Sequence, residues 1–355
     1  MCVDPVLLKD HTAETLHAAL ADTGMDGRLA RRLQALVVKH GATEIPLRLV
    51  NACSPVLARV AQRARVPSLE RIEAVTSEVD GFTKYLFRGV DSALFEAVRI
   101  PLLHRPGHEK YVVCVSSQVG CAMGCVFCET GRLGFRRNLE TWEMVDQVLA
   151  IRADSSFPVG GVVFMGMGEP LLNIDRVIRA SRILSEPCGA AIPAKAISHS
   201  TSGVVPGIRR LADDPGEYRL IVSLVAANDA KRKVLLPGAA HWPLRELMDA
   251  IREYHGKQRK RVNLAWVMME GVNLGDDDVQ DLAVLTRGIP LLINLIPVND
   301  PSGRYRPPSA ETLDRFIQGL RTYVQQPIVC RYSGGADIGG ACGMLAGRAR
   351  TGDAA

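Results

Sequence analysis

Along the chain the spacing of apolar positions changes character twice. In "TAETLHAALADTG" and "GRLARRLQALVVKHG" they recur at i, i+3 and i+4, the spacing of a helix with one buried stripe. Each run closes on a glycine suited to ending a helix. Residues 1–75 are therefore expected to form an all-helical accessory domain. "VPSLERIEAV" leads into "TKYLFRGVDSALFEAVRIP", two short alternating runs around a glycine-containing turn. That pattern predicts a β-hairpin, which with the linker "LLHRPGH" fills residues 76–108. From residue 109 onward the period alternates. Apolar β-rich runs ("YVVCVS", "GGVVFMG", "AKAISHS", "YRLIVSL", "RVNLAWVMM", "LLINLIP", "PIVCR") are separated by amphipathic helical ones such as "ETWEMVDQVLAIR" and "WPLRELMDAIREYH". Such alternation predicts βα units on a parallel sheet. Six units are too few for an eight-unit barrel. The expected fold is thus α/β, a partial, open (β/α)6 barrel over residues 109–345, followed by a flexible tail at 346–355.

Composition adds limits. The chain has 355 residues, 47% hydrophobic and 23% charged, enough to bury a substantial core. Its apolar runs are too short to span a bilayer. The acids in "MCVDPVLLKDHTAETL" do not resemble an export signal, so a cytoplasmic protein is expected. The net charge of +5 is mild, but from Arg28 to Arg65 there are eight Lys/Arg and one acid, Glu44. A second basic cluster is "KQRKR", Lys257–Arg261. Either is a solvated helix face or a phosphate-binding surface, since neutralising phosphates releases counterions and drives nucleic-acid affinity.

Nine cysteines, an odd number, make a poor disulfide framework. Cys114, Cys121, Cys125 and Cys128 fall within fifteen residues, the last three in a C-x3-C-x2-C spacing on a glycine-rich loop. Both iron–sulfur clusters and structural zinc use thiolates. Zinc closes its tetrahedron with four protein ligands, and a second hook is missing here. A [4Fe–4S] cluster held by three cysteines leaves one iron free to chelate a small molecule through an amino and a carboxylate group. Lone cysteines are usually small buried hydrophobes, which is the expectation for Cys188 and Cys330.

The ordered motifs "CVSSQVGCAMGCVFC", "GFRRNL", "GMGEPLLN", "STSGVVP", "INLIPVN" and "ADIGGACGMLAG" resemble the RlmN/Cfr family of radical S-adenosylmethionine (SAM) RNA adenosine methyltransferases. The resemblance runs from about Glu96 to the end, and more loosely through the N-terminal region. It implies a [4Fe–4S] cluster, one per chain, on Cys121, Cys125 and Cys128, and two SAM molecules per turnover. It implies SAM contacts from Gly168, Glu169, Ser200, Ser223, Leu224, Val225 and Asn294. One departure is plain: "SLV" stands where the family usually has "SLH", so Val225 offers no side-chain hydrogen bond.

An aromatic C–H carbon of adenine is not nucleophilic, so direct displacement on SAM is closed to it. The resemblance implies a longer route. Cys342 is methylated, a radical derived from a second SAM activates that methyl group, and the carbon adds to the adenine ring. After the adduct loses one electron, a base removes the ring proton, and Cys114 then resolves the protein–RNA adduct with disulfide formation. Glu96 matches the family's proton acceptor, whereas composition reads it as a surface strand carboxylate. The implied product is carbon-2-methylated adenosine in 23S ribosomal RNA, with transfer RNA a further target. Carbon 8 is the Cfr-like alternative, and a non-catalytic iron–sulfur or zinc RNA-binding protein is a different class. A monomer reduced by flavodoxin or ferredoxin is expected.

Overall fold

The computed structural model describes residues 4–103 and 105–348. Strand β1 (Val6–Leu7) starts the N-terminal unit, followed by helices α1 (Ala13–Ala19), α2 (Gly27–Gln34) and α3 (Ser54–Arg63). The unit closes where β2 (Ala64–Arg65) pairs in parallel with β1. Thr12 and Asp26 cap α1 and α2 through side-chain oxygens that accept from Thr15 N and Leu29 N. Gly24 and Gly41 take the left-handed conformation expected of helix-ending glycines, at φ 77° and 73°.

The segment before the hairpin differs from expectation. "ERIEAVT" is strand β3 (Glu70–Thr76), antiparallel to β4 (Thr83–Arg88), which pairs antiparallel with β5 (Leu94–Leu102). Its alternating half-buried pattern is a strand signal that the helical reading of residues 1–75 overlooked. Nor is the hairpin a separate piece, because β5 pairs antiparallel with β6 (Lys110–Cys114), the first barrel strand.

The barrel then runs as anticipated. A small ribbon, β7 (Gln118–Gly120) and β8 (Phe135–Asn138), flanks the short helix α4 (Glu129–Arg132) and leads into α5 (Thr141–Ala153). Next come β9 (Val159–Phe164), α6 (Ile174–Ser185), β10 (Ile197–Thr201), α7 (Val205–Ala212) and β11 (Arg219–Ser223). After these follow α8 (Asp229–Leu235), α9 (Leu244–Gln258), β12 (Val262–Met268), α10 (Asp276–Leu285), β13 (Leu291–Pro297), α11 (Ala310–Tyr323) and β14 (Ile328–Cys330). The sheet order is β14-β13-β12-β11-β10-β9-β6-β5-β4-β3, parallel from β14 to β6 and antiparallel beyond. Six βα units plus a short seventh parallel strand thus make the open barrel, and the hairpin and β3 extend its sheet to ten strands.

Period-two alternation sorts the strand residues. Leu220, Val222, Leu264, Trp266, Ile293 and Leu295 join the main core beneath the helices. Ile221, Ala265 and Ile296, with Met165 against them, form a small separate cluster on the other, inner face. Ser223 and Asn294, each two residues from a member of that cluster, share the inner face. Helix α5 is buried on nearly every side, because the N-terminal unit covers its outer surface. Lys9 reaches Asp146 at 2.6 Å, and the same carboxylate accepts from Leu69 N at 2.6 Å. Truncating one partner of so buried a pair costs about 3–5 kcal/mol, which locks the accessory unit to the barrel.

Two further expectations are corrected. Cys330 is exposed and Cys188 half-buried, so neither is a core hydrophobe. Residues 346–348 are not a free tail: Ala346 N and Gly347 N bond to Glu96. The remainder of that tail, 349–355, lies outside the described residues. Among the described residues no helix is long and apolar enough to cross a membrane.

Candidate active site

The strands deliver their C-terminal ends to one apolar cavity. Its wall includes Cys114 at the end of β6, Met165 after β9, Ser200 to Ser202 at β10, Ser223 at β11, Ile296 at β13 and Arg331 after β14. Cys121, Cys125 and Cys128 line it from the loop between β7 and α4, and Cys342 lines it from the C-terminal segment. Thus the five thiols singled out in the sequence share one cavity.

The cysteine loop is shaped by backbone contacts. Cys121 N donates to Gly134 O at 2.9 Å, Cys128 N to Cys125 O at 3.1 Å and Gly238 N to Met123 O at 2.9 Å. Gly120 sits at φ 73°, and a Cβ there would lie 1.8 Å from Gly134 O, so only glycine fits. Burial pushes the Cys121 thiol up to about 12 and the Cys125 and Cys128 thiols upward, with the Glu169 charge adding to the rise at Cys121 and Cys125. Three thiolates crowded here therefore need positive charge among them, which a metal cluster supplies. Among the described residues no three His, Cys, Asp or Glu side chains converge to hold a single metal ion. A cubane makes no such demand, since each thiolate bonds a different iron. The donor set fits it.

Beside the loop, Gly168 takes φ 96° and passes so close to Gln118 that a Cβ would meet that side chain at 2.4 Å. Glu169 is buried; Oε2 accepts from Ser202 N (2.8 Å) and Ser202 Oγ (2.7 Å), and Oε1 from Leu171 N (3.0 Å). Burial raises its pKa, and those donors pull it back. The Thr201 hydroxyl adds to these donors, so the carboxylate is held in place on the cavity wall. Asn294 Oδ1 is buried on the inner face with no partner among the described residues, an acceptor waiting for a donor.

Not every expected ligand residue reaches the cavity wall. Leu224 and Val225 are wholly buried in the core, and Asn294 also stands off the wall, which Asn299 lines instead. Val225 holds φ 64°, a strained conformation for a β-branched residue, and its carbonyl accepts from Asn273 Nδ2 at 2.8 Å. Glu96 is not the surface carboxylate that composition indicates, because it is 1% exposed. Its Oε2 accepts from Ala346 N at 2.7 Å and Gly347 N at 3.0 Å. Lys84 Nζ lies 3.0 Å from Oε1 as an ion pair that is not aligned as a hydrogen bond. Both faces of β5 are covered here, since Phe95, Glu96, Ala97 and Val98 are all buried.

Sequence reading missed the partners of the Cys342 segment. Asp80 Oδ2 accepts from Gly335 N (2.8 Å) and Tyr332 OH (3.0 Å); Asn299 Nδ2 donates to Ser333 Oγ (2.7 Å) and Cys342 O (3.4 Å). Thr130 Oγ1 donates to Leu345 O at 2.7 Å, and Glu129 N to Gly343 O at 2.7 Å. These bonds close the segment over the cavity like a strap. They hold Cys342 facing the cavity, near enough to Cys114 for its charge to add to the rise that burial imposes on the Cys114 thiol, to about 12.

The basic runs fare differently. Arg63 pairs with Asp22, Arg59 Nε donates to Thr23 O, and Arg32 Nη2 to Val50 O at 2.6 Å, so much of the first run holds its own domain together. Arg31 stands beside Cys188, past the end of α6 far from the cavity. "KQRKR" precedes β12, at the strand ends opposite the site, where Lys257 pairs with Asp213. Leu133, Phe135 and Arg136, which follow the cysteine loop in the chain, and Arg348, just past the Cys342 segment, are exposed.

Comparison with known proteins agrees with this geometry. The radical SAM superfamily profile matches residues 115–283. A "Probable RNA methyltransferase" of Myxococcus xanthus is 45% identical, the match covering 96% of this chain and 94% of that protein. A "Dual-specificity RNA methyltransferase RlmN" of Syntrophobacter fumaroxidans is 39% identical, over 97% and 98%. The crystal structure of a radical SAM methyltransferase from Sphaerobacter thermophilus superposes with a TM-score of 0.87 at 38% identity, covering 97% of this chain and all of that one. Full-length identity at this level, on a barrel whose mouth gathers these cysteines, shows that the chain belongs to the RlmN/Cfr family of radical SAM methyltransferases.

Proposed function

We propose that the protein methylates a ring carbon of adenosine in RNA, carbon 2 of an adenine in 23S ribosomal RNA and in transfer RNA, through a carbon carried on Cys342. The observation that carries this reading is the presence of Cys342 and Cys114 on the wall of the same cavity as the three-cysteine loop. Cys121, Cys125 and Cys128 would hold the cluster, with Gly168, Glu169, Ser200, Ser223 and Asn294 toward SAM. Bound there, cluster and SAM supply the one-electron chemistry that breaks a C–H bond; an external donor of the flavodoxin or ferredoxin type supplies the electron. Leu224 and Val225 fix the strand end rather than touch the ligand.

The chain's own part is carriage and release. Cys342 Sγ accepts the methyl group and presents its carbon to the base. In the resulting adduct, Cys114 Sγ attacks Cys342 Sγ, so an S–S bond forms as the S–C bond breaks. The electron pair goes to the carbon, which takes a proton and leaves as a methyl group on RNA. The apolar wall keeps water from these steps. Glu96, engaged by Ala346, Gly347 and Lys84, positions the strap; to act as proton acceptor it must first be released from them. RNA approaches beside the cysteine loop, where Phe135 offers a stacking face and Arg136 and Arg348 face outward.

The test is a pair of variants with RNA and labelled SAM. Cys342→Ala is expected to keep its cluster and abolish methylation, whereas Cys114→Ala accumulates a covalent protein–RNA species. Methylation by the Cys342→Ala protein sinks the reading, and nucleoside mass spectrometry settles which carbon is modified.

A further inference from the structure

Apart from the cysteines and Tyr332, whose hydroxyl donates to Asp80, the cavity wall carries two ionisable groups among the described residues: Glu169, already satisfied by its donors, and Arg331. Arg331 follows β14 at the C-terminal end of the last parallel strand, where a barrel presents ligand contacts. Its backbone N donates to Leu295 O at 2.8 Å, which fixes its place without help from the side chain. The guanidinium reaches across the mouth to Met165 Sδ at 3.8 Å, a thioether beyond β9. No carboxylate among the described residues lies in ion-pair range of it.

A structural arginine in this protein looks different. Arg232 is buried and spends its N–H groups on Ala239 O, Trp242 O and Ser202 O at 2.6–3.0 Å. Arg331 has five N–H donors and no oxygen acceptor for them among the described residues. Arg331 is half-buried on the cavity wall with its guanidinium open to a ligand, and a planar fork is the group that binds carboxylate or phosphate in two places. Its charge also opposes the rise that burial imposes on the Cys114 thiol, and it shares the cavity wall with both working sulfurs.

We propose that Arg331 is an oxyanion seat at the barrel mouth, receiving either a phosphate oxygen beside the target nucleotide or the carboxylate of SAM. This rests on the functional reading above. The two sources share one chemistry and are separated by removing charge from the ligand. Holoprotein with its cluster is titrated in one arm with SAM against decarboxylated SAM. In the other it is titrated with an RNA hairpin carrying ordinary phosphates against one with methylphosphonates flanking the adenosine. Wild type is expected to lose about 10- to 150-fold in affinity in the arm whose anion Arg331 holds, the range for a charge-assisted hydrogen-bonded pair. Arg331→Met is expected to lose the part of the preference that Arg331 supplies, binding the two RNA forms alike or discriminating the two SAM forms only through the carboxylate's bond to iron, and Arg331→Lys to restore part of it. Because the comparison is between ligands on one protein, it also corrects for any general loss of fold or charge. Preference retained in full by Arg331→Met in both arms overturns the seat, as does its absence from wild type. Wild-type protein that binds neither ligand overturns the functional reading itself, whereas wild type that methylates RNA while Arg331→Met keeps both preferences sinks only the seat.

Discussion

Replacing Glu96 by Gln separates two roles that the same residue could play. The substitution keeps the side chain's length and one carbonyl oxygen for Ala346 N and Gly347 N, but removes the charge. A hydrogen bond to a charged group contributes about 1.5–3 kcal/mol and a neutral one about 0.5–1.5 kcal/mol, so each of the two bonds weakens by roughly 1–1.5 kcal/mol. The strap is then held about 2–3 kcal/mol less tightly, which raises its open population roughly 30- to 150-fold. Hydrogen exchange of the peptide covering residues 341–348, followed by mass spectrometry, reads that factor directly at the amides of Ala346 and Gly347. Loss of methylation is expected in parallel, because Cys342 no longer rests at the cavity. If protection of the strap is unchanged while methylation collapses, the positioning role is wrong and Glu96 acts on the proton instead.

Three other outcomes are expected. Gly120→Ala places a Cβ against Gly134 O and cannot hold the cysteine loop closed, so the purified protein should carry far less iron by absorbance; normal loading refutes the fit. His199 is wholly buried between Phe164 and Tyr218, and burial pushes its pKa from 6.5 down to about 3. Protons therefore favour the unfolded chain: its contribution is complete above pH 6.5 and is lost as pH falls toward 3, at up to about 1.4 kcal/mol per pH unit. Urea melts should show a shallower acid decline for His199→Phe than for wild type, and parallel curves refute it. Phe135→Ala with Arg136→Glu should weaken RNA binding at least tenfold by fluorescence anisotropy, whereas Lys257→Glu, at the far strand ends, should leave it unchanged; the reverse order moves the RNA to the other face.

The barrel was legible because its signals are local. Seven β-rich runs with helical spacers define the parallel sheet, and the spacing of Cys121, Cys125 and Cys128 marks the metal loop without any tertiary information. Strand β3 was missed because "ERIEAVT" carries charged residues on its exposed face, and only its partner β4 shows that the alternation is real. Glu96 was misread for the same reason: its buried partners lie 250 and 251 positions away in sequence. The arginines of the N-terminal run read as a free basic face because their carbonyl and Asp22 partners are tertiary contacts. Arg331 carried a usable signal, the residue just past a barrel strand, but its importance comes from what surrounds it, and the sequence does not print an empty neighbourhood.

The strap has a consequence for how the enzyme is made. Its anchors, Asp80, Lys84 and Glu96, leave the ribosome some 250 residues before the segment they hold, and a chain grows at about 5–20 residues per second. For roughly ten seconds or more the loop of Cys121, Cys125 and Cys128 is out of the ribosome with no strap above it, open to a maturation factor delivering iron and sulfide. The strap is the last wall of the cavity to be made, so the order of residues along the chain lets metal enter before the carrier thiol arrives.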